Sequence, residues 1–167
     1  MRSKILGIAA ALVVFGMVQV SAETGVGLQG NINAHAASPT YGLSVTFKLD
    51  KVPWLFAANL EMNPLYVGFT ADRWLANKQL TGRLAYYYGW GFSGGVQLAD
   101  PVAISPGFRV VGGLNMFFLD NALEVYLQGA WNPYIGFYIG SESGIYPDTL
   151  PGILLNFPCA LGIRFWF

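Results

Sequence analysis

The chain has 167 residues, 54% of them hydrophobic and 11% charged, where about 25% charged is usual for a soluble domain. Nine Lys and Arg balance nine Asp and Glu, so there is no basic face for nucleic acid and no such partner is expected. The single cysteine, Cys159, excludes a fold stapled by internal disulfides.

Met1-Arg2-Ser3-Lys4 supplies a positive start, residues 5–20 are almost wholly apolar, and Val20-Ser21-Ala22 offers small side chains for cleavage. This pattern predicts a signal peptide over residues 1–22, with Glu23 as the new first residue. A spanning anchor is disfavoured, because the apolar core falls short of roughly 20 residues and no positive stop follows. No cysteine stands at the cleavage point for a lipid anchor. Loss of Arg2 and Lys4 leaves seven basic against nine acidic side chains, a net charge of −2, on a single domain over residues 23–167. Mean hydropathy is +0.44, yet no later apolar run approaches the length of a membrane helix. A transmembrane barrel resolves that conflict, since alternate residues of every strand face lipid.

Period-two alternation, punctuated by Gly, Pro, Asn and Asp, predicts eight strands. The first covers residues 24–34 and the second 40–49, where Tyr41, Leu43, Val45 and Phe47 alternate with Gly42, Ser44, Thr46 and Lys48. The third covers 53–62, with Trp54, Phe56 and Leu60 opposite Leu55, Asn59 and Glu61. The fourth covers 65–72 and ends on Asp72; the fifth covers 82–94, with Tyr86, Tyr88 and Trp90 opposite Arg83, Tyr87 and Gly89. The sixth covers 105–118 and carries Phe108 opposite Arg109. Asp120-Asn121 signals a tight hairpin. The seventh strand covers 122–132, extending toward 139, with Glu124 and Tyr126 on its polar face; the eighth covers 153–167. An even count beginning at eight is what a single-chain outer-membrane barrel requires. With an inward N-terminus, residues 50–52, 73–81 and 120–121 are periplasmic turns, and 35–39, 63–64, 95–104 and 140–152 are outer loops.

A soluble lipocalin-like barrel alternates in the same way, so side-chain size has to decide the orientation. One face of each strand is Leu, Val, Phe, Ile, Trp or Met. The other is mostly Gly, Ala, Ser, Thr and Asn, and it carries Lys48, Glu61, Asp72, Arg83, Arg109, Glu124 and Arg164. A narrow bore holds the small set more readily than the large one. The seven charges nearly balance, as buried charges must in order to pair. The expected fold is an all-β, eight-stranded antiparallel up-and-down transmembrane barrel with those charges in the lumen. Aromatics are expected in two girdles at the membrane interfaces, one with Trp54, Phe117, Phe118, Trp166 and Phe167, the other with Tyr41, Trp90, Phe92 and Trp131.

The ending LGIRFWF resembles the last strand of bacterial outer-membrane barrels, which finish on an aromatic with apolar residues at alternate positions. Leu161, Ile163, Phe165 and Phe167 fit that pattern. The resemblance implies that they are read by the barrel-assembly machinery. The stretch GGLNMFFLDNALEVYLQ over residues 112–128 is similar to small spirochaete barrels grouped with the OmpW and OmpX type.

Chemical motifs are sparse. His35, the only histidine, is followed by Ser38 near an outer rim, as a lipid A-modifying enzyme would need, but no acid sits nearby to orient the imidazole. A solvated loop histidine is the simpler reading, and no enzyme, metal or cofactor is expected. Cys159 alternates onto the lipid face as an inert apolar residue. The functions left open are a scaffold or narrow conduit for small solutes, a surface protein binding host ligands through its loops, and a rim enzyme.

Overall fold

The computed structural model describes residues 24–34, 39–62, 64–98, 102–139, 144–145 and 154–167. The expected signal peptide, His35 and most of the loop over 140–152 lie outside them. Eight strands form the wall: β1 Thr24–Ala34, β2 Thr40–Leu49, β3 Trp54–Met62, β4 Tyr66–Thr81, β5 Leu84–Gln97, β7 Gly107–Phe118, β8 Leu123–Trp131 and β11 Phe157–Trp166. Each pairs antiparallel with its sequence neighbour, β5 meets β7, and β11 returns to β1. The ring is closed, so the wall has no free lateral edge to cover. At the seam, Thr24 N–H donates to the Phe167 carbonyl at 3.1 Å and Phe167 N–H donates back at 3.0 Å.

Alternation sorts the side chains in the sense opposite to a soluble protein. On β2, Tyr41, Leu43, Val45 and Phe47 are exposed while Ser44, Thr46 and Lys48 are buried. On β11, Leu161, Ile163 and Phe165 are exposed and Gly162 and Arg164 buried. Leu43 is 69% exposed, whereas Arg164 and Glu124 are both 0% exposed. Cys159 is free and faces outward.

Three local expectations are corrected. Residues 73–81 are not a turn: β4 runs on to Thr81, and the reversal falls at Gly82-Arg83, where Gly82 takes φ +54°. The extension is possible because two register shifts against β5, at Trp74/Ala76 and Gln79/Thr81, absorb extra residues. Arg83 is therefore an exposed turn residue, not a lumen charge.

The second correction concerns the far end, away from the termini. There β5 continues to Gln97 and pairs with β6 Val102–Ile104, which pairs with β9 Phe137–Ile139 and through it with β10 Gly144–Ile145. The expected outer loop over 95–104 thus contains strand, the sixth expected strand begins just after Pro106, and the seventh stops before Pro133 instead of extending unbroken toward 139. Both proline carbonyls are used across the break, by Ile135 N–H and Phe108 N–H at 3.0 Å each.

The third concerns the girdles. Trp54 and Trp90, assigned to opposite interfaces, stand edge to face with ring centroids 5.8 Å apart. Both pair with Arg73 of the intervening β4, and strand tilt brings them to neighbouring positions on one outer patch that also holds Phe92 and Phe108. Trp166 shares the inward face of Arg164, and its indole N–H donates to Glu124 at 3.0 Å. Phe117 lies opposite Glu124 and lines the mouth beside Trp166. Tyr41 and Trp131 are exposed on the outside, and the Trp131 indole N–H donates to the Leu154 carbonyl at 2.7 Å.

Candidate functional site

The interior is a stack of three polar and aromatic tiers. Nearest the termini, Glu124 is a hub. Arg164 Nη1 donates to its Oε2 at 2.7 Å, the Trp166 indole shares that oxygen, and Asn115 Nδ2 donates to Oε1 at 2.9 Å. Arg164 and Glu124 are direct cross-strand partners on β11 and β8. The short distance and the added donors are what make so deeply buried a pair tolerable.

The middle tier is filled by rings. Trp74 stacks on Tyr87 with centroids 4.2 Å apart, and both are buried with Leu55, Val111 and Ala130. Tyr126 lies under the Arg164 guanidinium, 4.6 Å from its ring centroid. Tyr126 OH donates to Gln29 Oε1 and Tyr87 OH to Gln128 Oε1, each at 2.9 Å.

The tier toward the far end is hydrophilic. Arg109 Nε donates to Asp72 Oδ1 at 2.9 Å, both side chains buried. Gln29 Nε2 donates to Asn31 Oδ1 at 2.8 Å, Asn31 donates to Ser44, and Ser44 donates to Asn59 at 2.6 Å. Thr40 donates to the half-buried Glu61 at 2.8 Å, and Ser93 donates to Asn132 at 2.8 Å. A cavity of about 50 Å³ remains among these groups.

Inward glycines explain how such long contacts form. Asp72 and Arg109 lie on β4 and β7, and Gly91 of β5 is the register partner of both. Gly113 stands in the same way between Tyr87 and Gln128, and Gly162 between Tyr126 and Gln29. Each interaction spans an intervening strand by passing over a residue with no side chain. A Cβ at Gly91 would stand 2.5 Å from Asp72 Oδ1, and one at Gly113 or Gly162 would stand 2.5 Å from a tyrosine Cζ. These glycines are saddles for large side chains and do not leave an open track along the bore. Gly113→Ala is expected to cost about 1–3 kcal/mol by overpacking, read as a lower urea midpoint of the refolded protein with an unchanged m-value.

Of the seven expected lumen charges, Lys48, Asp72, Arg109, Glu124 and Arg164 are buried inside, Glu61 is half-buried at the far mouth, and Arg83 is outside. Two ion pairs join four of the buried ones among the described residues. Lys48 instead donates to the Leu49 and Val52 carbonyls at 3.3 and 3.2 Å. Leu161, Ile163 and Phe165 are exposed along β11, and Phe167 just beyond it is exposed too. Of the residues that fill the middle tier, Tyr87 and Tyr126 fall on the expected inward face without a role given to them, and Trp74 falls in the stretch expected to be a turn. Tyrosines facing glycines on adjacent strands are a usable signal, but only once the register is known.

No family model matches the chain, and no curated protein matches it. Among solved structures, the N-terminal β-barrel domain of Pseudomonas aeruginosa OprF is similar over 86% of this chain and 97% of that chain, at 15% identity and a TM-score of 0.45.

Proposed function

We propose that this chain is an integral outer-membrane protein, exported by a signal peptide over residues 1–22, whose barrel serves as a membrane scaffold closed by its own side chains. The carrying observation is the pairing of a hydrocarbon exterior with a bore blocked by Trp74, Tyr87, Tyr126 and the Arg164–Glu124 pair. Exposed Leu28, Leu43, Val45, Phe69, Leu127 and Leu161 would be a severe liability in water and suit a lipid solvent. Outer-membrane lipid is then the main partner. The likeness of residues 112–128 to spirochaete barrels of the OmpW and OmpX type supports a place among these small barrels.

Planar-bilayer recording separates the scaffold from the conduit. The refolded protein is expected to give no stable single-channel steps, while the Tyr87→Ala, Tyr126→Ala double variant gives them. Regular steps from the unaltered protein would refute a closed bore.

The outward row Leu161, Ile163 and Phe165 lies on the seam strand β11 and Phe167 follows it directly, which supports recognition of the row by the barrel-assembly machinery. Phe167→Ser is expected to reduce assembled protein in cells several-fold while leaving refolding in detergent intact. Equal loss in both settings would instead make Phe167 a matter of barrel stability.

A further inference from the structure

Arg73 interrupts the hydrocarbon face of β4, on the side of the ring opposite β11. It is exposed, alternates with the buried Asp72 and Trp74, and lies in register with Trp54 and Trp90 on its two neighbouring strands. A guanidinium on the lipid face is costly at the bilayer centre and tolerated at its edge, where Trp also gathers. Toward the Gly82 turn, β4 carries Asn77, Lys78 and Gln79, all exposed, with Leu75 and Leu80 among them. The row Trp54, Arg73 and Trp90 thus marks the edge of the hydrocarbon on this side of the barrel.

From that row the lipid has to extend about 25 Å toward the far end, which takes roughly 9–11 residues of a tilted strand. On β5 such a length, started at Trp90, uses the whole remainder of the strand to Gln97. The depth therefore includes Val96, and with it the short sheet laid alongside. Ile104 of β6 is the register partner of Val96, and Phe137 of β9 is the partner of Ile104. Val102 and Ile139 pair one outward position further. All four are exposed while Ala103 is buried, so the outward sense of the wall continues across this sheet. Residues 102–108 and 133–139 contain no Asp, Glu, Lys or Arg. In water they would present an uninterrupted apolar patch.

We infer that the β6–β9 sheet is a lipid-binding flap, its outward face covered by acyl chains of the outer leaflet. This rests on the reading of the chain as a membrane barrel and adds where the membrane ends on each side. On β11, opposite β4, the outward row stays apolar down to Phe167 beside the termini. The hydrocarbon edge lies lower there than at Arg73, so the barrel axis is inclined to the membrane normal.

Nitroxide labels on Ile104→Cys and on Phe137→Cys, each in a Cys159→Ala background refolded into dimyristoylphosphatidylcholine vesicles, test it. The references are labels at Leu43 on the wall and at Arg83 in the exposed turn. The ratio of collisions with oxygen to collisions with a water-soluble nickel complex is expected to be several-fold higher at both flap positions than at Arg83. A ratio as low as at Arg83, with Leu43 still in lipid, overturns the flap and leaves the membrane barrel standing. Shielding of both flap labels from both reagents also overturns it, because a second copy of the chain then covers the face. Nickel access at Leu43 as well would remove the membrane reading and the flap with it. Heat-modifiable gel migration checks the folding of every variant, and either flap position alone gives the readout if the other does not fold.

Discussion

Glu124→Leu is expected to destabilise the barrel by about 3–5 kcal/mol, because it leaves the Arg164 guanidinium buried with no counter-charge. Both partners are 0% exposed and 2.7 Å apart, so solvent cannot take over the lost role. The same variant also releases the Trp166 indole and Asn115 from their shared acceptor. The companion change Arg164→Met in the double variant is expected to recover most of the loss, since an apolar pair of similar volume avoids the desolvation of both ions. Urea unfolding in lipid vesicles over the two single variants and the double one gives the coupling between them. Independent, additive losses would mean that the pair is not the organising contact of this tier.

Leu28→Arg is the second large effect. Leu28 is central on β1, faces outward beside Val45 and Ile163, and is 61% exposed. Were this face in water, the substitution would change stability by no more than about 0.5 kcal/mol. Facing the bilayer midplane, it is expected to cost about 2–4 kcal/mol. Folding yield and urea midpoint in vesicles check it, with Leu28→Ala as the control for lost contact alone.

Much of the wall was legible because alternation is a one-strand property. β1 and β2 are bounded as the side-chain pattern of residues 24–34 and 40–49 predicts, and the inward placement of Lys48, Asp72, Arg109, Glu124 and Arg164 follows from size and polarity on each strand alone. What was not legible depends on neighbours distant in sequence. Residues 73–81 are polar enough to read as a turn, and only their register against β5, with its two shifts, makes them strand and turns Trp74 inward onto Tyr87. Gly91, Gly113 and Gly162 read as space until their partners are known, when each proves to be a saddle between two interacting side chains. Trp166 reads as an interface aromatic by type, while its parity with Arg164 and the acceptor offered by Glu124 place it inside. Arg83 fails for a simpler reason, as the preceding glycine adopts a left-handed turn and ends the alternation there.

The orientation of the barrel is tested most directly by a nitroxide scan along β2 in vesicles, using single cysteines at positions 43 to 47 in a Cys159→Ala background. Labels at Leu43, Val45 and Phe47 are expected to collide freely with oxygen and hardly at all with a water-soluble nickel complex. Labels at Ser44 and Thr46 are expected to be shielded from both. Strong nickel accessibility at Leu43, Val45 and Phe47 would put that face in water and contradict a lipid-embedded barrel.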